Sequence, residues 1–218
     1  YKIYAPKPIY DEGMQALKDM GFEFIGVGKG SPEDLKTYTP QADVVIARVH
    51  FWEDELLAAS KNLKMVMVHG VGYQDHIVCA DAAKRGIYVS YSPYGNFDTV
   101  AEGCAALTMA MTCNICQYNA GVRTPEGIRA FNRMELQGAT IGLLGVGNIA
   151  RSYAQKMYYG MGCHIVGYKR TPDDTVPYFI KMLPSMDEVF RASDIVSLHI
   201  PGEPSYRGLI NKHHFSLM

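Results

Sequence analysis

Apolar and polar positions along the chain sort into short, wholly apolar runs and stretches with helical spacing, and the two alternate from the first residues onward. Lys2-Ile3-Tyr4 predicts a strand, residues 14–20 a helix closed by Gly21, and residues 22–25 a second strand. Asp43-Val44-Val45-Ile46-Ala47 reads as a buried strand, residues 53–60 as a helix, and residues 63–68 as another apolar strand ending at Gly70-Val71-Gly72. A short helix over residues 80–85 stops at Gly86, and Ile87-Tyr88-Val89 resumes the strands. Strands apolar on both faces, each followed by a helix, predict parallel sheets covered on both sides.

The segment Tyr91-Ser92-Pro93-Tyr94-Gly95-Asn96 concentrates turn formers. A domain boundary is expected there, dividing the chain into residues 1–95 and 96–218. One long apolar helix is predicted over residues 99–118. Ile141 to Leu144 then supplies a strand, and apolar positions at Ala150, Tyr153, Ala154, Met157 and Met161 give a helix. His164 to Tyr168 gives a further strand about twenty residues on. Ser185 and Glu188 open another helix as a capping pair, and residues 194–199 form the last strand.

Between the first strand and helix of this second half lies Gly145-Val146-Gly147-Asn148-Ile149-Ala150, a Gly-x-Gly-x-x-Ala turn. Its chemistry requires the backbone to reverse at Gly145, to approach a pyrophosphate at Gly147, and to pack helix on strand at Ala150. The phosphates would then rest on the positive end of the helix. Alone, such a turn can equally be a bend with no ligand; the flanking strand, helix and second strand favour the dinucleotide-binding reading.

Composition narrows the classes. The 218 residues carry 21 basic and 22 acidic side chains, a formal net charge of -1, so there is no broad positive field for a nucleic acid. No run of 18 or more apolar residues appears and the amino terminus lacks a signal-peptide pattern. A soluble, cytoplasmic protein without membrane partners is expected. Five scattered cysteines suit buried thiols in a reducing compartment. Cys113 and Cys116 form a Cys-x-x-Cys, but within a predicted helix and without a second ligand pair, so no metal site is expected.

Four segments together resemble the D-2-hydroxyacid dehydrogenase family, which includes phosphoglycerate, glyoxylate/hydroxypyruvate and D-lactate dehydrogenases. They are Gly70-Val71-Gly72 with Asp75-His76-Ile77; Asp98-Thr99-Val100-Ala101-Glu102; residues 142–150; and Ser193-Asp194-Ile195-Val196-Ser197-Leu198-His199-Ile200-Pro201 leading to Arg207-Gly208-Leu209-Ile210-Asn211. The resemblance implies an α/β protein of two doubly wound parallel-sheet domains. A flavodoxin-like substrate domain would hold residues 1–95, and an NAD(P)-binding Rossmann domain residues 96–218, the second incomplete in this chain. Ligands would meet in the cleft between domains. Gly70, Val71 and Gly72 would offer backbone amides to the substrate carboxylate, unless they merely end a strand. Thr99 would lie by the nicotinamide, and His199, Ile200 and Pro201 would wall the cofactor.

The implied activity is hydride transfer between a nicotinamide dinucleotide and a small 2-oxo or 2-hydroxy acid. The alternative is a dinucleotide-sensing, non-catalytic interaction protein similar to the family's corepressor branch. Some positions depart from the family pattern: Gln74 is an extra residue before Asp75, Val78 and Gly103 replace its usual side chains, and Gly202-Glu203-Pro204 stands where Leu-Thr-Pro is common. The family's catalytic arginine, glutamate and histidine are expected beyond Met218, so no catalytic residue is assigned here. Where NAD-using members end the second strand in an acid, this sequence continues from Tyr168 into Lys169, Arg170 and Thr171. That favours NADP over NAD through a clamp on the 2′-phosphate, the alternative being two solvated basic residues on a loop. The resemblance also implies a homodimer, with residues 101–118 as the expected contact.

Overall fold

The computed structural model of this chain describes every residue except 128–131, 172 and 203, so Glu203 of the departing loop lies outside the described residues. Contacts within the chain divide it into two units, Tyr1–Gly95 and Asn96–Met218.

The first unit runs β1 (Lys2–Tyr4), α1 (Asp11–Asp19), β2 (Glu23–Ile25), α2 (Pro32–Tyr38), β3 (Val44–Ala47), α3 (Asp54–Ala59), β4 (Met65–Val68), α4 (Cys79–Lys84) and β5 (Tyr88–Tyr91). All five strands are parallel in the order β2-β1-β3-β4-β5, the flavodoxin-like doubly wound arrangement. Successive side chains leave a strand on opposite faces. Tyr4, Val45, Val66 and Val68 therefore enter one apolar layer with Trp52, Leu57 and Ile77. Ile3 and Ile46 enter the other, with Leu17, Phe22 and Phe24. Helix α2 begins at a reciprocal cap: the Asp34 amide donates to Ser31 Oγ and the Ser31 amide to the Asp34 carboxylate, both at 3.1 Å, with Pro32 at the first helical position.

The second unit runs α5 (Phe97–Thr112), α6 (Ile115–Gly121), β6 (Thr140–Leu144), α7 (Asn148–Met161), β7 (His164–Tyr168), β8 (Ile180–Met182), α8 (Met186–Ala192), β9 (Ile195–Leu198) and α9 (Lys212–Phe215). Its four strands are parallel in the order β8-β7-β6-β9. Taken in chain order within the unit this is 3-2-1-4, the beginning of the Rossmann order. Ile141, Leu143, Ile165 and Ile195 pack with Ala101 of α5 and Tyr153, Ala154 and Met157 of α7. Leu144 and Val166 face the other way, onto Val189 and Phe190 of α8. Ser185 caps α8 by accepting from the Glu188 amide at 3.2 Å.

The single helix predicted over residues 99–118 is two helices. Asn114 adopts a left-handed backbone, φ 53°, and its side chain donates to the Asn132 carbonyl at 2.6 Å. Asparagine tolerates this conformation better than most residues, and it stops α5 and restarts the chain as α6. Cys113 and Cys116 consequently straddle a turn. All five cysteines are free, and among the described residues no group of three or more potential metal ligands assembles. No helix among the described residues is long and apolar enough to cross a membrane.

Candidate functional site

Strand order decides where a cavity opens in the second unit. From β6 the chain moves outward to β7 and β8, then returns past β6 to β9, so loops leaving β6 and β9 diverge at their carboxyl ends. The β6–α7 turn is tied to both neighbours. The Gly145 amide donates to the Tyr168 carbonyl at 2.9 Å, and the His199 amide to the Leu144 carbonyl at 2.8 Å. A cavity of about 470 Å³ lies there. Gly145, Val146, Gly147, Tyr168, Lys169, Arg170, Thr171, His199, Ile200 and Pro201 line it, together with Leu144, Met186, Tyr206 and Leu209.

Each small residue of the turn has its own reason. Gly145 has φ +86°, and a Cβ there would sit 2.5 Å from the His199 carbonyl oxygen, so both conformation and space demand glycine. A Cβ on Gly147 would meet no atom within 4 Å, which leaves the first amides of α7 open to a ligand. Ala150 is fully buried against Ile141 and Leu143 and contributes to the helix–strand packing. Asn148 and Ile149 open the helix. The leading amides of an α-helix have no carbonyl partner within it, and here no side chain caps them and the first turn holds no acid. The other long helix, α5, has Asp98 in its first turn, and α1, α2, α3 and α8 likewise begin with acids. Helix α7 therefore offers an uncompensated positive end to an anion such as a pyrophosphate. The residues present fit a dinucleotide.

His199 is half-buried in the wall. One ring nitrogen, Nε2, lies 2.9 Å from Ser197 Oγ, and its ring centroid is 5.8 Å from that of Tyr153. Burial pushes its pKa down to about 4. An imidazole of that basicity holds no second proton near pH 7, so the ring that faces the cavity is neutral. The Tyr153 hydroxyl in turn meets Thr108 Oγ1 at 2.8 Å, joining α7 to α5.

Thr99 is not among the cavity residues: it is exposed in the first turn of α5. Its neighbour Asp98 anchors that turn, binding Lys156 Nζ at 2.5 Å and Ser152 Oγ on α7. The lysine, and secondarily the serine, hold the Asp98 carboxyl below the usual carboxylate range. In the first unit, Gly70, Val71 and Gly72 follow β4, with the Gly70 carbonyl accepting from the Ser92 amide at 2.9 Å. Side chains added at Gly70 or Gly72 would meet nothing closer than 3.7 Å, so that turn is uncrowded. Sequence reasoning missed Tyr206, Leu209 and Met186. Met186 opens α8, and Tyr206 and Leu209 come from the connection after β9, where no strand end marks a wall.

Residues 105–218 match the model of the D-isomer specific 2-hydroxyacid dehydrogenase NAD-binding domain. The chain is 30% identical over 229 residues to the glyoxylate reductase of Thermofilum pendens, covering all of this chain and 67% of that protein. It is 32% identical over 184 residues to the D-3-phosphoglycerate dehydrogenase of Mycobacterium bovis, covering 83% of this chain and 34% of that one. The crystal structure of NAD-dependent formate dehydrogenase from Staphylococcus aureus in complex with NAD superposes with a TM-score of 0.82 at 26% identity, over all of this chain and 70% of that one. The chain thus spans from about a third to about two thirds of the length of the relatives named. Sheet order, phosphate-binding turn and sequence likeness agree that the chain belongs to the D-isomer specific 2-hydroxyacid dehydrogenase family of nicotinamide-dependent oxidoreductases, with the family's dinucleotide-binding fold as its second unit.

Proposed function

We propose that the protein carrying this chain reduces a small 2-oxo acid, or oxidises the corresponding 2-hydroxy acid, with NADPH preferred to NADH. The cavity beside the uncapped amino end of α7 carries this reading. When bound, the dinucleotide supplies the hydride. The chain's own groups hold it: the amides at Gly147, Asn148 and Ile149 face its phosphates, and neutral His199 with Ile200 and Pro201 forms the wall. Gly70, Val71 and Gly72 receive the carboxylate of the acid, a role supported by their open, unobstructed backbone.

The preference for NADPH rests on the residues following β7. Lys169, Arg170 and Thr171 all line the cavity and none is acidic. Arg170 lies over the Tyr206 ring, 5.9 Å from its centroid, and has no carboxylate partner among the described residues. A guanidinium clamps a phosphate through paired charge-assisted hydrogen bonds. A preference of at least ~10-fold, equivalent to ~1.4 kcal/mol, is expected. Five free thiols suit a cytoplasmic setting. The test titrates NADPH and NADH into the full-length protein at fixed salt and follows their oxidation with glyoxylate, hydroxypyruvate and pyruvate. Equal affinities, or tighter NADH, would refute the preference, and no turnover with any 2-oxo acid would refute the activity.

A further inference from the structure

Arg170 is not the only cation near that end of the cavity, but among the described residues it has no acidic partner, whereas its neighbours do. The Lys169 ammonium, at the end of β7, is ion-paired with Asp173. Arg151 extends from α7 with Nε 3.1 Å from the Val146 carbonyl, and its Nη2 reaches Asp173 Oδ1 at 3.2 Å. Thr175 fixes the same carboxylate from behind, its amide at 3.1 Å and its hydroxyl at 2.6 Å from Oδ1. Asp173 thus joins the loop after β7 to the phosphate-binding turn, held by two cations and two neutral donors. An acid absent from the strand end stands beside the cavity, on the loop four residues on.

We infer that Asp173 tunes cofactor discrimination, its carboxylate occupying the Lys169 and Arg151 cations that a 2′-phosphate would otherwise recruit. The inference deepens the proposed NADPH preference and rests on it. The side chains of Lys169 and Arg151 are each 23% exposed and that of Asp173 41%, so the pairs are partly solvated. Pairs of that kind exchange partners at small cost. A dianionic phosphate carries more charge than the carboxylate and can compete for both cations, yet it must displace Asp173 to do so. NADH, with hydroxyls in place of that phosphate, meets no such competition.

The experiment measures the dissociation constants of NADPH and NADH for the full-length protein and its Asp173→Asn and Asp173→Glu variants, at low and high salt. Asparagine removes the charge while keeping a side chain that can still meet Thr175. It should tighten NADPH about threefold to tenfold, change NADH less than twofold, and steepen the salt dependence of NADPH binding, because two released cations now meet the phosphate. Glutamate, which keeps the charge, should leave the NADPH-to-NADH ratio near that of the parent protein. NADH binding also reports that each variant is folded. An unchanged ratio in Asp173→Asn overturns the inference, as does a selective loss of NADH, which would make Asp173 a ligand of the ribose hydroxyls. Failure of the parent protein to bind either dinucleotide would instead overturn the functional reading itself.

Discussion

Replacing Gly147 should separate binding from folding, and replacing Gly145 should not. A Cβ at Gly147 meets nothing within 4 Å, and the backbone there, φ -90°, is open to any residue. Gly147→Ala thus carries no native-state strain. By restricting the unfolded chain it should stabilise by ~0.4–1 kcal/mol, a rise in Tm of about 1–4 °C in a chain of this size. The same methyl stands before the amides that receive the phosphates. Charge-assisted hydrogen bonds contribute ~1.5–3 kcal/mol each, so losing one or two, as the bulkier Gly147→Val should ensure, weakens dinucleotide binding by roughly 10-fold or more. Gly145→Ala places a side chain in a left-handed backbone, at ~1–2 kcal/mol, and 2.5 Å from the His199 carbonyl oxygen. Relief of that collision moves β9 from β6, and Tm should fall by at least about 4 °C. Calorimetry without ligand and fluorescence titration with NADPH read the two effects separately. If Gly147→Ala melts as early as Gly145→Ala, or if Gly147→Val binds the dinucleotide with parental affinity, the assignment of these two glycines is wrong.

Arg170→Ala should reduce the NADPH preference and Lys169→Asp combined with it should reverse the preference towards NADH, as read by paired titrations. His199 predicts an acid limb in stability: its folded pKa of about 4 lies below the ordinary 6.5, so only the unfolded state takes up the proton between those values. Stability is complete above pH 6.5 and declines as pH falls towards 4, by up to about 3 kcal/mol. Denaturant titrations of His199→Asn should lose that slope, and an unaltered pH profile would remove His199 as its source. Leu107 and Met111, one turn apart on α5, and Ile115 at the start of α6 are exposed apolar residues, on the segment expected to join two copies. Leu107→Glu should convert a sedimenting dimer to monomer, whereas a monomeric parent protein would dispose of the interface.

Where periodicity and packing agree, the sequence was legible. Residues 140–144 and 164–168 are apolar because both faces of a central parallel strand are covered, and the Gly-x-Gly-x-x-Ala turn between them announces its own geometry. Strand β8 went unread because its three residues, Ile180-Lys181-Met182, are too few to show a period and only Ile180 is buried. Helix α2 fully buries no residue and sets only Leu35 and Tyr38 against the core, too few to show a period; its capping box was the available signal. The break at Asn114 was masked by apolar residues on both sides, since hydrophobic spacing does not report a single left-handed residue. Within the candidate site, the residues expected at the strand ends line the cavity. Tyr206, which lines the cavity, and Asp173, which pairs with Lys169 beside it, went unread because they lie on loops whose course follows from tertiary packing rather than local pattern.

The bare amino end of α7 also makes the cofactor part of the protein's tolerance to sequence change. A glycine at this helix start forgoes a few tenths of a kcal/mol that a Ser or Asp at the position of Gly147 could supply. A dinucleotide present at 100 times its dissociation constant adds about 2.7 kcal/mol to the folded state. Selection then acts on the loaded molecule, and substitutions that weaken the sheet can persist as neutral variation while the ligand is plentiful. Such variants would emerge as folding defects only when the dinucleotide pool falls, so that the metabolic state of the cell, rather than the mutation alone, would decide which of them are harmful.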